Sequence, residues 1–245
     1  MQKFIKIILL LFVFNVHAAC EDPPAPGVHW SGCDKKGIDL TGANLDGAII
    51  SRSDLSGARL DNARLDKVDL YFTKLESASF KNASLKQAKL VGVKAEKANF
   101  SSTKMNGARL SRAELKDADF TSADLSKASF YEAKLNKVVF TKATLDAANF
   151  ERARLIDANF DQVKSTQAKF TEANLENASF LNAKLHKAVF DKANLLNANF
   201  TKANLNKASL REAVIDGAVF EGANLGDANW VDFQRCRSTA IGVCR

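Results

Sequence analysis

Ala118-Asp119-Phe120-Thr121-Ser122-Ala123-Asp124-Leu125-Ser126-Lys127-Ala128-Ser129-Phe130 states one pattern more than twice: small residue, polar residue, large apolar residue, two turn-forming residues. Followed outward in both directions, the phase holds from Ile38 to Trp230 without an insertion or deletion. With Leu40, Leu45, Ile50 and so on to Trp230 as centres, Leu or Phe fills 33 of 39 positions. The exceptions are Ile50, Ala95, Met105, Ser165, Ile215 and Trp230. Two residues before each centre, Ala stands in 31 of 39 cases, so the small position is as regular as the large one.

Neither standard element carries a period of five. In an α-helix a five-residue step rotates about 140°, which scatters the Leu/Phe set around the axis. In a continuous strand an odd step sends successive centres to opposite faces. The period works only if the chain turns a corner once per repeat. The Ala and the centre, two apart, then point to one side of a short extended segment, and the residue between them points outward. The last two residues, rich in Gly, Asn, Asp, Ser and Lys, make the corner. Four corners close a square coil of about 20 residues, and coils stack about 4.8 Å apart through backbone hydrogen bonds.

Residues 20 apart then lie in one column and should look alike. Phe80, Phe100, Phe120, Phe140, Phe160, Phe180, Phe200 and Phe220 form such a column, and Phe130, Phe150, Phe170 and Phe190 a second, on the opposite side. The other two sides hold no Phe at their centres. Large rings on two opposing sides and Leu on the other two fill a narrow four-sided core without overpacking.

Ala43-Asn44-Leu45, Ala123-Asp124-Leu125 and Ala173-Asn174-Leu175 resemble the A-(D/N)-L-x-x motif of the pentapeptide-repeat proteins. The resemblance implies an all-β fold, the right-handed quadrilateral β-helix, here a solenoid of about ten coils. It carries no enzymatic activity over to this chain. Well-understood members of the family are cytosolic proteins that protect or inhibit DNA gyrase by resembling B-DNA in shape and negative charge. This chain departs from them in being basic, at a formal charge of +7, and in its first 18 residues, which read as a signal peptide; both argue against a nucleic-acid or topoisomerase-modulating role.

The flanks give the domain organisation. Residues 1–18 read as a signal peptide: Lys3 and Lys6 are the basic start, and Ile7 to Phe14 is an apolar run too short to span a bilayer. Val16-His17-Ala18 supplies the small residues for cleavage near Ala18/Ala19, so the mature protein is expected in the periplasm or secreted. No later segment is apolar enough to cross a membrane. Loss of Lys3 and Lys6 lowers the formal charge from +7 to +5, which leaves the mature chain mildly basic. Residues 19–37 are then an N-terminal cap, 38–230 the repeat body and 231–245 a C-terminal cap. The four cysteines sit in pairs at the two ends, and a disulfide needs Cα atoms within roughly 7 Å. An extended body therefore admits only Cys20–Cys33 and Cys236–Cys244, in an oxidising compartment. A lipidated Cys20 is the competing reading. Against it, His17 stands where a lipobox wants Leu or Val, and Cys33 would lose its partner.

Little in the chain points to catalysis. His29 lies in the N-terminal flank and His186 on a distant corner, so no triad or metal site uses both. Outward carboxylates such as Asp46, Asp66, Asp124, Glu132 and Asp146 are interspersed with Lys and Arg, without a paired acid–base site. No phosphate loop, nucleophile elbow or dinucleotide fingerprint occurs. No cofactor or metal is implied.

Two outward features remain. Lys67, Lys127, Lys187 and Lys207 share a corner column without an acid until Asp227, a candidate basic ridge for an anionic ligand. Ile49, Tyr71, Phe72, Val91 and Tyr131, rimmed by Lys89 and Arg109, form a candidate partner patch, since aromatic residues with Arg are typical of interface centres. The reading is an exported, non-enzymatic binding or scaffold protein that uses one face of a rigid rod. Its partner is expected to be a protein or envelope component, and its oligomeric state is open.

Overall fold

The computed structural model describes residues 20–244; the expected signal peptide, 1–18, and Ala19 lie outside them. Each repeat starts with a two-residue corner such as Asp46-Gly47. The amide after the corner returns to the carbonyl before it, as Ala48 N to Leu45 O at 3.0 Å. At non-glycine corners from Arg52 to Glu212 the second residue has φ between 54 and 62°, and the first has negative φ. That combination is a type II turn. A side chain at such a φ costs about 1 kcal/mol or more.

Stacking offsets this cost. Around the corner at Asp66-Lys67, Leu65 N bonds to Ser84 O at 2.7 Å, Lys67 N to Lys86 O at 2.8 Å, and Ser84 N returns to Ala63 O at 2.9 Å. The same three bonds recur at repeat after repeat, so each corner is held from the coils before and after it. The outward residue of every repeat from His29 to Ser209 forms a parallel bridge to the residue 20 further on. The coil is therefore 20 residues, with four faces. Face 1 has centres Trp30, Ile50, Leu70 onward to Trp230. Face 2 runs from Lys35 and Leu55 to Ile215, face 3 from Leu40 to Phe220, and face 4 from Leu45 to Leu225.

The helix begins earlier than the boundary read at Ile38. Pro26-Gly27-Val28-His29-Trp30 already has the corner, the bridge and the buried centre, and ten full coils fill 26–225. The repeat is masked in the sequence because Cys33 and Lys35 occupy positions that are Ala and Leu elsewhere. The Lys35 ammonium lies 4.6 Å from the centre of the Trp30 ring, so even this lysine serves the end of the core.

Ala and Leu/Phe positions are buried from coil to coil. Neighbouring rings of the face 3 column stack at 4.7–5.2 Å. Those of face 1 stack at 4.8–5.0 Å. The two columns meet edge-to-face across the core, as Phe150 with Phe160 at 5.7 Å and 89°. Buried hydroxyls substitute locally: Thr73 Oγ1 donates to Ile50 O and Thr103 Oγ1 to Phe100 O, both at 2.7 Å. Ser165, at a face 4 centre, is buried and its hydroxyl has no partner.

Both ends are closed by disulfides in the pairing read from the sequence. Cys20–Cys33 has a Cα separation of 5.5 Å and Cys236–Cys244 one of 4.8 Å. At the N-terminus Trp30 is fully buried and its indole N–H donates to Asp22 O at 3.1 Å. At the C-terminus the chain doubles back after Trp230 and pairs antiparallel with the last coil, Asn229 with Arg235 and Asn224 with Ile241. Leu225 N bonds to Ala240 O at 2.9 Å and Gly242 N to Ala223 O at 2.8 Å. Gly226 permits this approach, since a Cβ there would lie 2.4 Å from Ser238 O. The returning segment covers faces 4 and 1. On faces 2 and 3 the amides of Ile215, Gly217, Phe220 and Gly222 have no backbone partner among the described residues. Trp230 is only partly buried, edge-on to Phe220 at 5.2 Å.

Candidate functional site

The columns that build the core also sort the surface. Ile49, Asp69, Lys89 and Arg109 are consecutive in the bridging column of face 1. Tyr71 and Val91 follow one another at the first residue of the corner from face 1 to face 2, with Phe72 at its second residue. Tyr71 and Phe72 have ring centres 6.4 Å apart. Phe72 is 59% exposed and has φ 54°, a conformation that bulky side chains rarely take. Its ring lies over Gly92, one coil on. A Cβ on Gly92 would stand 2.5 Å from Phe72 Cε1, so the glycine makes room for the ring.

Tyr131 does not join this cluster. Sixty residues beyond Tyr71, it stands three coils away, about 14 Å along the rod. It belongs to a different feature, an alternating charge ladder on the same corner: Arg112–Glu132 at 2.8 Å, Arg152–Glu172 at 2.8 Å and Lys192–Glu212 at 3.8 Å. Arg152 also donates to Tyr131 Oη at 3.2 Å. Lys89 is 4.0 Å from Asp69, while Arg109 has no ion-pair partner among the described residues. The compact patch is thus Ile49, Tyr71, Phe72 and Val91.

The basic ridge is broken up in the same way. Lys67 and Lys127 are three coils apart, as are Lys127 and Lys187; only Lys187 and Lys207 are neighbours. The residues between them are Gln87, Gly107, Ala147 and Gln167. A denser array spans face 4, from its corner with face 3 to the ridge on its corner with face 1. Lys142, Lys164, Lys184, Lys187, Lys202 and Lys207 are all exposed, and none has a carboxylate within 4.0 Å among the described residues. Lys142 and Lys202 escaped the sequence reading because they sit on the corner from face 3 to face 4. Only a count around the coil places them with Lys184.

A cleft of about 180 Å³ on face 2 is lined by Glu96, Glu114, Lys116, Lys134, Asn136 and Arg154. There Lys134 Nζ bonds to Glu114 Oε1 at 2.7 Å and holds that carboxyl below its usual range, together with its charge. Glu132 is lowered by hydrogen bonds from Arg112 and Tyr131. Burial pushes Asp54 up, but hydrogen bonds from Ser56 and Lys74 and the charge of Lys36 outweigh it and leave the group at about 2. These carboxyls are tuned to stay ionised as acceptors, the opposite of a general acid. Among the described residues no three His, Cys, Asp or Glu side chains are placed to hold a metal ion, and no helix is long and apolar enough to cross a membrane.

The chain matches the family model described as a pentapeptide repeat region over residues 73–144 and 113–190, and the model of pentapeptide repeats over 27–57 and 193–229. No curated protein sequence matches it. Among solved structures it is similar to HetL, a pentapeptide repeat protein involved in heterocyst differentiation regulation from the cyanobacterium Nostoc sp. strain PCC 7120. The identity is 28%, the match covers 82% of this chain and 89% of that one, and the TM-score is 0.49. It is also similar to a pentapeptide repeat protein of the Arabidopsis thaliana thylakoid lumen, at 23% identity over 44% and 75% of the two chains with a TM-score of 0.29. QnrB1, a plasmid-mediated fluoroquinolone resistance protein, is 16% identical over 76% and 90%, with a TM-score of 0.34.

Proposed function

Because the chain belongs to the pentapeptide-repeat family and forms its right-handed quadrilateral β-helix, we propose that it acts as an exported, non-enzymatic binding or scaffold protein that docks a protein partner at the Phe72 corner. The conformation of Phe72 carries this reading. A bulky ring at positive φ costs backbone energy, and at 59% exposure it gains little burial to offset that cost. Asn or Gly would lower the cost, and the protein uses them at other corners, such as Asn62 and Gly57. Retention of an unfavourable residue on a surface points to use rather than stability. Tyr71, Val91 and Ile49 extend the apolar area, and Arg109 supplies an unpaired charge at its rim, the make-up of an interface centre.

Export is supported by the leader-like residues 1–18 and by the two cysteine pairs at bonding distance, which need an oxidising compartment. The competing DNA-mimic reading requires a surface dense in negative charge, and face 4 carries the opposite sign. The test is a photo-crosslinking residue placed in cells at Phe72 and, as a control, at Glu172 five coils further along the same corner. A protein adduct from position 72 alone, on a processed chain outside the cytoplasm, is expected. Equal adducts from both positions, or an uncut chain retained in the cytosol, would overturn the proposal.

A further inference from the structure

We propose that face 4, over the four coils from Thr141 to Lys207, is an adsorption face that seats the rod on an anionic lipid bilayer surface. It stands on a different surface from the Phe72 corner and does not depend on what docks there.

The starting point is how charge is divided around the rod. Along these coils face 4 and its two corners present six lysines, Lys142, Lys164, Lys184, Lys187, Lys202 and Lys207, against Asp146 and Asp161. The same stretch of face 2, on the opposite side, presents five basic and six acidic residues over its outward positions from Tyr131 to Asn197. One side carries a formal +4 and the other −1, so the rod has a transverse charge asymmetry in this half.

The two acids on face 4 are also committed to the backbone. Asp146 Oδ1 accepts from Thr166 N at 2.8 Å, and Asp161 Oδ1 accepts from Leu181 N at 3.0 Å and from the Ser179 hydroxyl. They staple one coil to the next and do not pair with the lysines. On the other side, Arg152–Glu172, Lys134–Glu114 and Lys192–Glu212 neutralise one another. Of the lysines along this stretch without an ion-pair partner among the described residues, six lie on face 4 and its corners and one, Lys137, on the opposite side.

Shape and residue type decide among anionic partners. The lysines occupy both corners and the middle of a face whose centres are held in register by the bridges Thr144–Lys164, Lys164–Lys184 and Lys184–Asn204. Such an array presents its charges toward one plane, where a groove or ridge would favour a linear polymer. The residues between are mostly short, among them Thr141, Thr144, Thr166, Thr201, Asn182 and Asn204. No arginine and no Phe, Tyr or Trp stands on this face over these coils, where His186 is the one ring. The planar fork that reads individual phosphates or carboxylates is missing, and so is a succession of rings on which bases would stack. Flexible lysine point charges suit the diffuse field of a charged membrane, which attracts basic residues at the surface by about 1 kcal/mol each. With face 4 on the bilayer, the corner between faces 1 and 2 that carries Phe72 points away from it, free for a protein.

The test uses the disulfide-bonded chain from Ala19 onward, which holds all ten coils and both caps, and vesicles of phosphatidylglycerol with phosphatidylcholine or of phosphatidylcholine alone. Binding to the anionic vesicles is expected, with release at about 0.5 M salt, where the Debye length shrinks to a few ångströms. The variant Lys164→Gln/Lys184→Gln/Lys187→Gln/Lys207→Gln should bind roughly 10²–10³-fold more weakly, at about fivefold per lysine. A variant with the same loss of charge on the other side, Lys116→Gln/Lys134→Gln/Lys137→Gln/Lys192→Gln, should lose less than about tenfold, by distance screening. Equal losses in the two variants would reduce the effect to net charge and overturn the proposal. So would absence of binding to anionic vesicles, or tighter binding to duplex DNA or heparin than to the vesicles.

Discussion

Phe160→Ala removes a ring from the middle of the aromatic lattice. Phe160 stacks on Phe140 at 5.0 Å and on Phe180 at 4.7 Å, and meets Phe150 and Phe170 edge-on at 5.7 and 5.6 Å. Phe80, at the start of the same column, touches one other ring, Phe100 at 4.9 Å. Truncation of a buried Phe costs about 3–5 kcal/mol from lost transfer energy and the cavity left behind. Each aromatic contact adds about 0.5–1.5 kcal/mol beyond burial. Phe160 has three more such contacts than Phe80, so Phe160→Ala should exceed Phe80→Ala by about 1.5–4.5 kcal/mol. Phe160→Leu should cost only about 1–2 kcal/mol, because Leu40 and Leu60 fill the same column elsewhere and the volume is largely kept. Urea unfolding followed by circular dichroism measures the difference, with amide exchange to show whether the body still melts as one unit. Two Ala variants within about 1 kcal/mol of each other would refute the argument that the rings act as a lattice rather than as separate core residues.

Phe72→Asn should raise stability by about 0.5–1 kcal/mol, since Asn tolerates positive φ, while abolishing the crosslink at that corner; a loss of stability in thermal melts would contradict the strain argument. Reduction of Cys236–Cys244 should release the returning segment before the coils melt, seen as faster exchange of the Leu225 and Cys236 amides. The closed loops, 13 and 8 residues apart in sequence, restrict the unfolded caps by about 2–3 kcal/mol each. Asp54 has its folded pKa depressed to about 2. Its stabilisation is therefore present above the unfolded value near 4 and lost as pH falls from about 4 to 2, about 1–2 kcal/mol in all. Acid titration of stability should show that drop, and Asp54→Asn should flatten it.

The core was legible because burial repeats: Ala and Leu/Phe recur with one phase, and the Phe columns appear once residues are aligned at 20. The boundaries were less legible. Cys33 and Lys35 belong to a coil, but one is taken by a disulfide and the other covers Trp30 from the open end, so composition hid the geometry. The surface was read in columns, where charges look continuous. Face 4 emerges only when neighbouring columns and their partners are considered together: Asp161 looks like a neutralising acid in sequence, yet its carboxylate holds Leu181 N. Tyr131 illustrates the converse, a residue in the right column at the wrong height. The strain at Phe72 was not read, although Gly at the same corner position of other repeats, as at Gly47, Gly57 and Gly92, marks a place that takes positive φ.

The twenty-residue coil makes the chain a clock in which residue number encodes direction. Removal of one pentapeptide would turn everything downstream by a quarter and set Phe columns over Leu columns, so the core would register the error. Removal of two pentapeptides between Phe130 and Phe190 is quieter. The Phe columns on faces 1 and 3 would exchange places and the interior would still match, yet Lys184 and Lys187 would swing to the side of the rod opposite the lysines left behind. Length can therefore change without penalty to the aromatic packing in steps of ten residues, but without scrambling the outside only in steps of twenty. A surface that must keep one bearing along the whole rod would hold the chain to the coarser step.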